Sequence, residues 1–239
     1  MDERWLVLET SGRGGRVGMA AGAQVVRSAA LDPARRHNRD LAPTAAALLE
    51  AEGIRPAELT GVMVSVGPGS FTGLRVGVMS AKVLAYATGC RLVAVPTFHA
   101  IAGQSPAEAS VVEVIADALQ GLAYSQRFRR VGVEQWEPAN ELRIEPAADW
   151  ASRLTPELWV SGPGVEVYDQ FIPAAVSRVP DADRMPGLTA IYQAGLRQAP
   201  LTAAEVMRLE PLYLRPSSAE EKAARGQKSE IRSQKSEWH

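Results

Sequence analysis

Residues 60–89 of the chain, TGVMVSVGPGSFTGLRVGVMSAKVLAYATG, decide its fold. The apolar, β-branched run from Val62 to Val66 predicts a buried strand, which ends at the turn formed by residues 67–69, Gly-Pro-Gly. Ser70 then stands at the position of a helix N-cap, and a long helix-compatible segment follows it. The stretch therefore predicts a strand, a tight turn and a long helix in succession.

The predicted helix carries a small residue at every fourth position. Residues four apart share one helix face, so these residues predict a smooth seam along the helix. Each interior glycine costs about 1 kcal/mol relative to alanine, a cost that is tolerated where another backbone comes close. The seam consists of Gly73, Gly77, Ala81 and Ala85. It indicates either close packing within the chain or a subunit contact, which Arg75 and Lys82 would flank.

Residues 67–89, followed by Arg91 to Val95, resemble the signature of the TsaB (YeaZ) family. Two earlier stretches agree with this resemblance: LVLETS at residues 6–11 is similar to the family's first strand, and HNRDLAP at residues 37–43 is similar to the start of its first helix. PLYLRP at residues 211–216 resembles the family's terminal strand. The resemblance extends in order from residue 5 to about residue 222.

The resemblance implies the two-lobed α/β fold of actin, sugar kinases and Hsp70, with mixed sheets flanked by helices. The two halves of the sequence agree, because each begins with a strand that ends in an acidic residue, Glu9 in the first and Asp117 in the second. We expect an N-terminal lobe over residues 1–104, which carries the seam, and a C-terminal lobe over residues 105–216. Residues 217–239 form a polar tail in which QKSE occurs twice, so we expect disorder there.

The resemblance also implies a function. TsaB proteins are non-catalytic partners in the synthesis of threonylcarbamoyladenosine (t6A), a modification of the tRNA adenosine adjacent to the anticodon in bacteria. The implied partners are a TsaD-type transferase and a TsaE-type ATPase, with a homodimer in the absence of a partner and tRNA contacted only through the complex. No cofactor is expected in the isolated chain, and ATP or ADP is expected, if at all, in the complex.

Histidine positions tell against a metal-dependent transferase. The transferase relative of the family holds its metal with two histidines four residues apart, and Thr97 and Ile101 stand at the corresponding positions here. His99 falls between them, on a different helix face, and Cys90 has no nearby base. We therefore expect no catalytic and no metal-binding residue. The alternative is an active phosphoryl- or carbamoyl-transfer enzyme that uses the interlobe cleft, which predicts turnover by the isolated chain.

Several turns that follow strands are candidate anion or nucleotide contacts. In nucleotide-binding members of the superfamily, an acidic residue and Ser/Thr after the first strand hold metal and phosphate, although the same residues also suit a tight turn. The glycine-rich turn at residues 67–69 lacks the lysine of a P-loop, so it indicates a phosphate site only weakly. Leu119 and Leu122 replace an arginine and an acidic residue of the family, which weakens the case for a contact at the second-lobe turn. The candidates are Glu9, Thr10, Ser11 and Gly12 in the first lobe, and Asp117, Gly162 and Gly164 in the second.

Composition narrows the class of protein further. The formal net charge of −1 provides no overall positive field that would attract nucleic acid directly. Cys90 is the only cysteine, which excludes an internal disulfide and suits a reducing compartment. The acidic start of the sequence is unlike a signal peptide, and no apolar run is long enough to span a membrane. These features predict a cytoplasmic protein without a membrane contact.

Overall fold

The computed structural model describes residues 3–12, 14–32 and 37–212, apart from the side chains of residues 37–39. The predicted tail at residues 217–239 and most of the predicted terminal strand lie outside the described residues. Within the part that is described, no helix is both long and apolar enough to cross a lipid bilayer.

The first sheet is built from the first half of the chain. Its strands are β1 (Arg4–Glu9), β2 (Arg16–Ala21), β3 (Gln24–Ala30), β4 (Gly61–Ser65) and β5 (Arg91–Val95). They lie in the order β3-β2-β1-β4-β5. β1 is antiparallel to β2 and parallel to β4, which in turn is parallel to β5. The sheet is therefore mixed, with the predicted strand at residues 62–66 near its centre.

The second sheet repeats this arrangement. Its strands are β6 (Val111–Asp117), β7 (Leu122–Gly132), β8 (Gln135–Pro138), β9 (Arg143–Pro146), β10 (Trp159–Ser161) and β11 (Ser177–Arg178). The order is β11-β10-β6-β7-β8, with β9 also paired to β7. β6 is antiparallel to β7 and parallel to β10, as β1 is to β2 and β4. The two sheets confirm the predicted two-lobed α/β fold.

Helices flank the sheets. They are α1 (His37–Ala51), α2 (Phe71–Thr88), α3 (Thr97–Gly103), α4 (Ala147–Ala151), α5 (Gly164–Tyr168), α6 (Leu188–Gly195) and α7 (Ala203–Arg208). α2 begins as predicted at Ser70, whose Oγ accepts a hydrogen bond from the backbone N–H of Gly73. It ends at Gly89, which adopts the left-handed conformation with φ +70°. The local signals of the sequence thus set both ends of this helix.

The last helices of the described chain return to the first sheet. Ile191 and Tyr192 of α6 are fully buried in one cluster with Trp5 and Val7 of β1. Val206 of α7 packs on the cluster that lies between α2 and the opposite face of the same sheet. The first sheet is thus covered on one face by α1 and α2 and on the other by α6, so part of the range 105–216 lies on the first lobe. The boundary at residue 104 stays a prediction.

Candidate functional site

The small-residue seam of α2 faces the chain's own first strand. A Cβ atom built on Gly73 would overlap the carbonyl oxygen of Thr10, and one built on Gly77 would overlap Thr10 Oγ1. Ala81 and Ala85 are buried in the core beneath the helix. The parallel pairing of β1 with β4 brings the end of β1 directly under α2, so the seam is an intramolecular contact. These four residues therefore pack within the chain, and a subunit contact at another part of α2 stays a prediction.

The two predicted flanking residues have different roles. Lys82 Nζ donates hydrogen bonds to the carbonyl oxygens of Met207, 2.9 Å away, and Leu209, 3.1 Å away, and thereby holds the end of α7 against α2. Arg75 is exposed, and its guanidinium carbon lies 4.7 Å from the centroid of the Phe71 ring. Arg75 thus stays at the surface, whereas Lys82 serves the chain's own fold.

The opposite face of α2 exposes an apolar stripe. Met79 and Val83 are each 59% exposed, and Tyr86 is 87% exposed. The spacing i, i+4, i+7 places the three side chains on one helix face. With the exposed Thr72 and Arg75 they form what we call the α2 ridge. An aligned row of exposed large apolar side chains typically marks a surface that another protein covers.

Sequence reasoning missed the α2 ridge for a physical reason. The helix carries small or apolar residues around most of its circumference, so the pattern does not show which face is buried. The i, i+4, i+7 spacing of Met79, Val83 and Tyr86 is visible in the sequence, but the same spacing equally suits a core-facing stripe.

Glu9 closes the turn that follows β1. Its side chain is 3% exposed, and its Oε1 accepts hydrogen bonds from the backbone N–H of Ser11 at 2.6 Å and from Ser11 Oγ at 2.5 Å. Burial raises the pKa of the Glu9 carboxyl group, against the opposing effect of the Ser11 donors. The Ser11 groups that could bind a phosphate are directed at Glu9 instead. The geometry favours the tight turn, and anion binding by residues 9–12 stays a prediction.

Two buried oxygen atoms lie at this turn. Within the described residues, neither Glu9 Oε2 nor Thr10 Oγ1 has a hydrogen-bond partner. Thr10 Oγ1 points at the space that a Cβ atom on Gly77 would fill, so the backbone of α2 lies directly against this oxygen atom.

Both Gly-Pro-Gly turns serve close backbone approach. A Cβ atom on Gly69 would lie 2.6 Å from the carbonyl oxygen of Ser11, at the end of β1. In the second lobe, a Cβ atom on Gly162 would overlap the carbonyl oxygen of Ile115, and one on Gly164 would lie 3.0 Å from the Cα atom of Ala116, near the end of β6. Gly162 also has φ +99°, a conformation that favours glycine. Close packing thus explains why positions 162 and 164 are both glycine.

Asp117 organises the second-lobe turn. Its Oδ1 accepts hydrogen bonds from the backbone N–H of Leu119 and from the Tyr168 hydroxyl, each at 2.7 Å. Burial and the adjacent carboxylate raise the pKa of Tyr168, so its hydroxyl stays protonated and can donate. Leu119 adopts φ +66° and is 59% exposed at the tip of this turn. Asp117 follows Ile115 and Ala116, the residues that Gly162 and Gly164 approach, so these three candidates lie at one end of the second sheet.

The positions that correspond to the metal-binding histidines are in the core. Thr97 and Ile101 are buried, and Thr97 Oγ1 accepts a hydrogen bond from the backbone N–H of Gly67 at 3.1 Å. The His99 ring lies 5.7 Å from the Phe128 ring, centroid to centroid, and burial lowers the pKa of His99. Among the residues that the structure describes, no three His, Cys, Asp or Glu side chains are grouped as a metal site requires. Absence of a metal stays a prediction.

Comparison with known proteins gives consistent matches. The model of the family "TsaD: tRNA N6-adenosine threonylcarbamoyltransferase" matches residues 31–222. The tRNA threonylcarbamoyladenosine biosynthesis protein TsaB of Bacillus subtilis is 28% identical over 204 residues, which cover 81% of this chain and 86% of that protein. An uncharacterized protein of Mycobacterium tuberculosis is 32% identical over 190 residues, with 78% of each chain covered.

A solved structure has the same fold. YeaZ from Pseudomonas aeruginosa superposes with a TM-score of 0.74 at 21% sequence identity, and the match covers 89% of this chain and all of that one. The overall fold of this chain is therefore shared with a known protein.

Proposed function

The chain belongs to the TsaB (YeaZ) family, and on that premise we propose that it is the non-catalytic subunit that supports t6A synthesis in tRNA by pairing with a TsaD-type transferase. The relative in Bacillus subtilis is named for threonylcarbamoyladenosine biosynthesis, which supports a role in this modification. The observation that carries the pairing is the α2 ridge, an exposed apolar row on a helix whose other face is buried in its own lobe.

The α2 ridge has the chemistry of a protein contact. Methionine, tyrosine and arginine are enriched at such contacts, and Met79, Tyr86 and Arg75 all belong to the ridge. The chain matches the model of the transferase family itself, so the proposed partner shares the fold and would present an equivalent helix. Two such helices can pack against each other about a pseudo-two-fold axis.

The same surface would serve a homodimer. In a two-fold dimer one patch meets its own copy, so the α2 ridges of two chains would cover each other when the transferase is absent. The homodimer and the complex then compete for one surface, and the more stable pair is formed when both partners are present. We propose the homodimer as the resting form of the free chain.

Catalysis is assigned to the partner. Thr97 and Ile101 are buried where the transferase relative would need histidines, and Ser11 directs its donors to Glu9 instead of a phosphate. We propose that the isolated chain holds no cofactor and that ATP or ADP binds only in the complex, to which a TsaE-type ATPase also belongs. With a net charge of −1, the chain would contact tRNA through the complex, in the cytoplasm.

The test compares two valine variants. Val83 lies on the α2 ridge, whereas Val133 is 91% exposed in the β7–β8 hairpin of the other lobe. Val83→Glu places a charge in the proposed contact and should weaken binding to the transferase of the same organism by at least about thirtyfold, the effect of losing about 2 kcal/mol. Val133→Glu should bind as the parent does. Titration calorimetry measures the affinity, and mass spectrometry of digested tRNA measures t6A in the reconstituted system.

Two results would overturn the proposal. If Val83→Glu binds the transferase with unchanged affinity, the α2 ridge is not the contact. If the purified chain alone modifies tRNA or hydrolyses a nucleotide in a multiple-turnover assay, the alternative of an active enzyme is correct.

A further inference from the structure

One side chain joins the two segments that connect the lobes. The first crossing, residues 104–110, leads from α3 to β6, and the second, residues 179–187, leads from β11 to α6. Gln104 Nε2 donates hydrogen bonds to the carbonyl oxygens of Asp183 at 2.8 Å and Met185 at 2.7 Å. Gln104 Oε1 accepts a hydrogen bond from the backbone N–H of Gly187 at 2.9 Å. Gln104 thereby holds the two crossings to each other.

Arg130 of β7 fixes the first crossing to the second sheet. Its Nε donates to the carbonyl oxygen of Ala109 at 2.8 Å, and its Nη2 donates to those of Pro106 at 2.7 Å and Ser105 at 3.2 Å. The guanidinium carbon lies 4.4 Å from the centroid of the Trp136 ring. Hydrogen bonds from an ionised donor are stronger than neutral ones, and the planar group can reach several carbonyls at once. The crossing is therefore anchored at several points.

α3 contributes buried side chains to the cores of both lobes. Ala100 packs in the cluster of the first lobe, whereas Phe98 and Ile101 pack in the cluster of the second. All three are at most 1% exposed. Rotation of one lobe against the other would pull buried side chains out of close-packed surroundings and open a cavity, which is costly.

We propose that the two lobes form one rigid body, and that Gln104 and Arg130 are positioning residues that set the angle between them. A transferase that works by closing its interlobe cleft needs these crossings to bend. Here the hydrogen bonds of Gln104 and the packing of α3 oppose bending, so the chain presents its two lobes to any partner in one fixed orientation. The inference goes beyond pairing with a transferase and does not depend on it.

The test measures the angle between the lobes directly. Nitroxide labels at Ser28→Cys on β3 and Glu137→Cys on β8, both exposed positions in different lobes, are introduced together with Cys90→Ser. The labelled chain is diluted into a large excess of the unlabelled chain, so that a homodimer contributes no distance between subunits, and double electron–electron resonance should then give one narrow distance for this protein. Gln104→Leu, which keeps the apolar stem but loses the three hydrogen bonds, should replace the narrow peak by a broad distribution.

Gln193→Leu is the matched control. Gln193 Nε2 donates a single hydrogen bond to the carbonyl oxygen of Ala23, 3.0 Å away, within the first lobe. Its loss should leave the narrow peak unchanged. Hydrogen exchange gives a second measurement: the amide of Gly187 should exchange about tenfold faster in Gln104→Leu, as expected for the loss of one hydrogen bond, and within about twofold of the parent rate in Gln193→Leu.

Each unfavourable outcome overturns a stated part of the inference. A broad or two-peaked distribution in the parent protein would show that the lobes are not one rigid body. An unchanged narrow peak in Gln104→Leu with a lowered Tm would show that Gln104 only stabilises the fold. If Gln104→Leu does not fold, Gln104→Asn, which is one methylene shorter but equally polar, should give the same broad distribution, and a narrow peak there would contradict the positioning role.

Discussion

Replacing Gly73 by alanine separates the two interpretations of the seam on α2. The added methyl group would overlap the backbone carbonyl oxygen of Thr10, which cannot rotate aside as a side chain can. The end of β1 is also held in place, because the backbone N–H of Thr10 donates to Ser65 Oγ at 3.2 Å. The variant must therefore push α2 away from the sheet. A seam that faced another subunit would instead leave the isolated fold intact.

The expected magnitude follows from two opposing effects. Alanine in place of glycine gains about 1 kcal/mol of helix propensity. Overpacking of a close-packed core costs about 1–3 kcal/mol, and a backbone neighbour places Gly73 at the upper end of that range. The net loss is about 2 kcal/mol in the free energy of unfolding. For a domain of this size, that lowers Tm by about 4–8 °C.

Gly103→Ala provides the control. Gly103 ends α3, and nothing lies within 4 Å of a Cβ atom built there, so this variant should be as stable as the parent or slightly more stable. Urea unfolding followed by circular dichroism at several protein concentrations measures the free energy and separates folding from association. The seam does not pack against β1 as described if Gly73→Ala is as stable as Gly103→Ala, or if it folds normally but loses association.

Two further predictions concern Glu9 and Lys82. The raised pKa of Glu9 means that its contribution to stability is fully present below its unfolded value of about 4.3 and is lost as pH rises through the folded pKa. Glu9→Gln, which cannot ionise, should therefore gain stability relative to the parent in urea unfolding as pH rises above about 4.3, and a difference that is constant with pH would contradict this. Lys82→Met should lose the hydrogen bonds to Met207 and Leu209, destabilise the attachment of α7 by about 1–2 kcal/mol, and increase amide exchange in residues 203–209 while residues 111–117 stay protected. Equal exchange of residues 203–209 in both proteins would show that Lys82 does not hold α7.

The elements that sequence could predict are those with local signals. The β-branched run before residue 67, the N-cap at Ser70 and the glycine at Gly89 fix β4 and α2 without any information from the rest of the chain. The acidic end of the first strand of each half, Glu9 and Asp117, is likewise visible, and with it the repeated arrangement of the two sheets.

The remaining features depend on contacts between distant parts of the chain. The return of α6 and α7 to the first sheet buries Tyr192 beside residues more than 170 positions earlier, and no local pattern encodes that pairing. The sequence alone does not show which face of α2 is buried, because the residues on both faces are compatible with burial. The hydrogen bonds of Gln104 join two segments about 80 residues apart, so only the folded chain shows them.

The polar groups at the strand ends and at the crossings between the lobes bear on the proposed function. In a fold that can bind nucleotides, the turns after the strands need free donors and the crossings between lobes need freedom to bend. Here the donors of Ser11 are directed at Glu9, and Asp117 is held by the backbone of its own turn and by Tyr168. Gln104 ties the two crossings together. Because the Ser11 donors, Asp117 and Gln104 are hydrogen-bonded within the chain, their geometry favours the proposed action through a partner, for which the α2 ridge is the candidate surface.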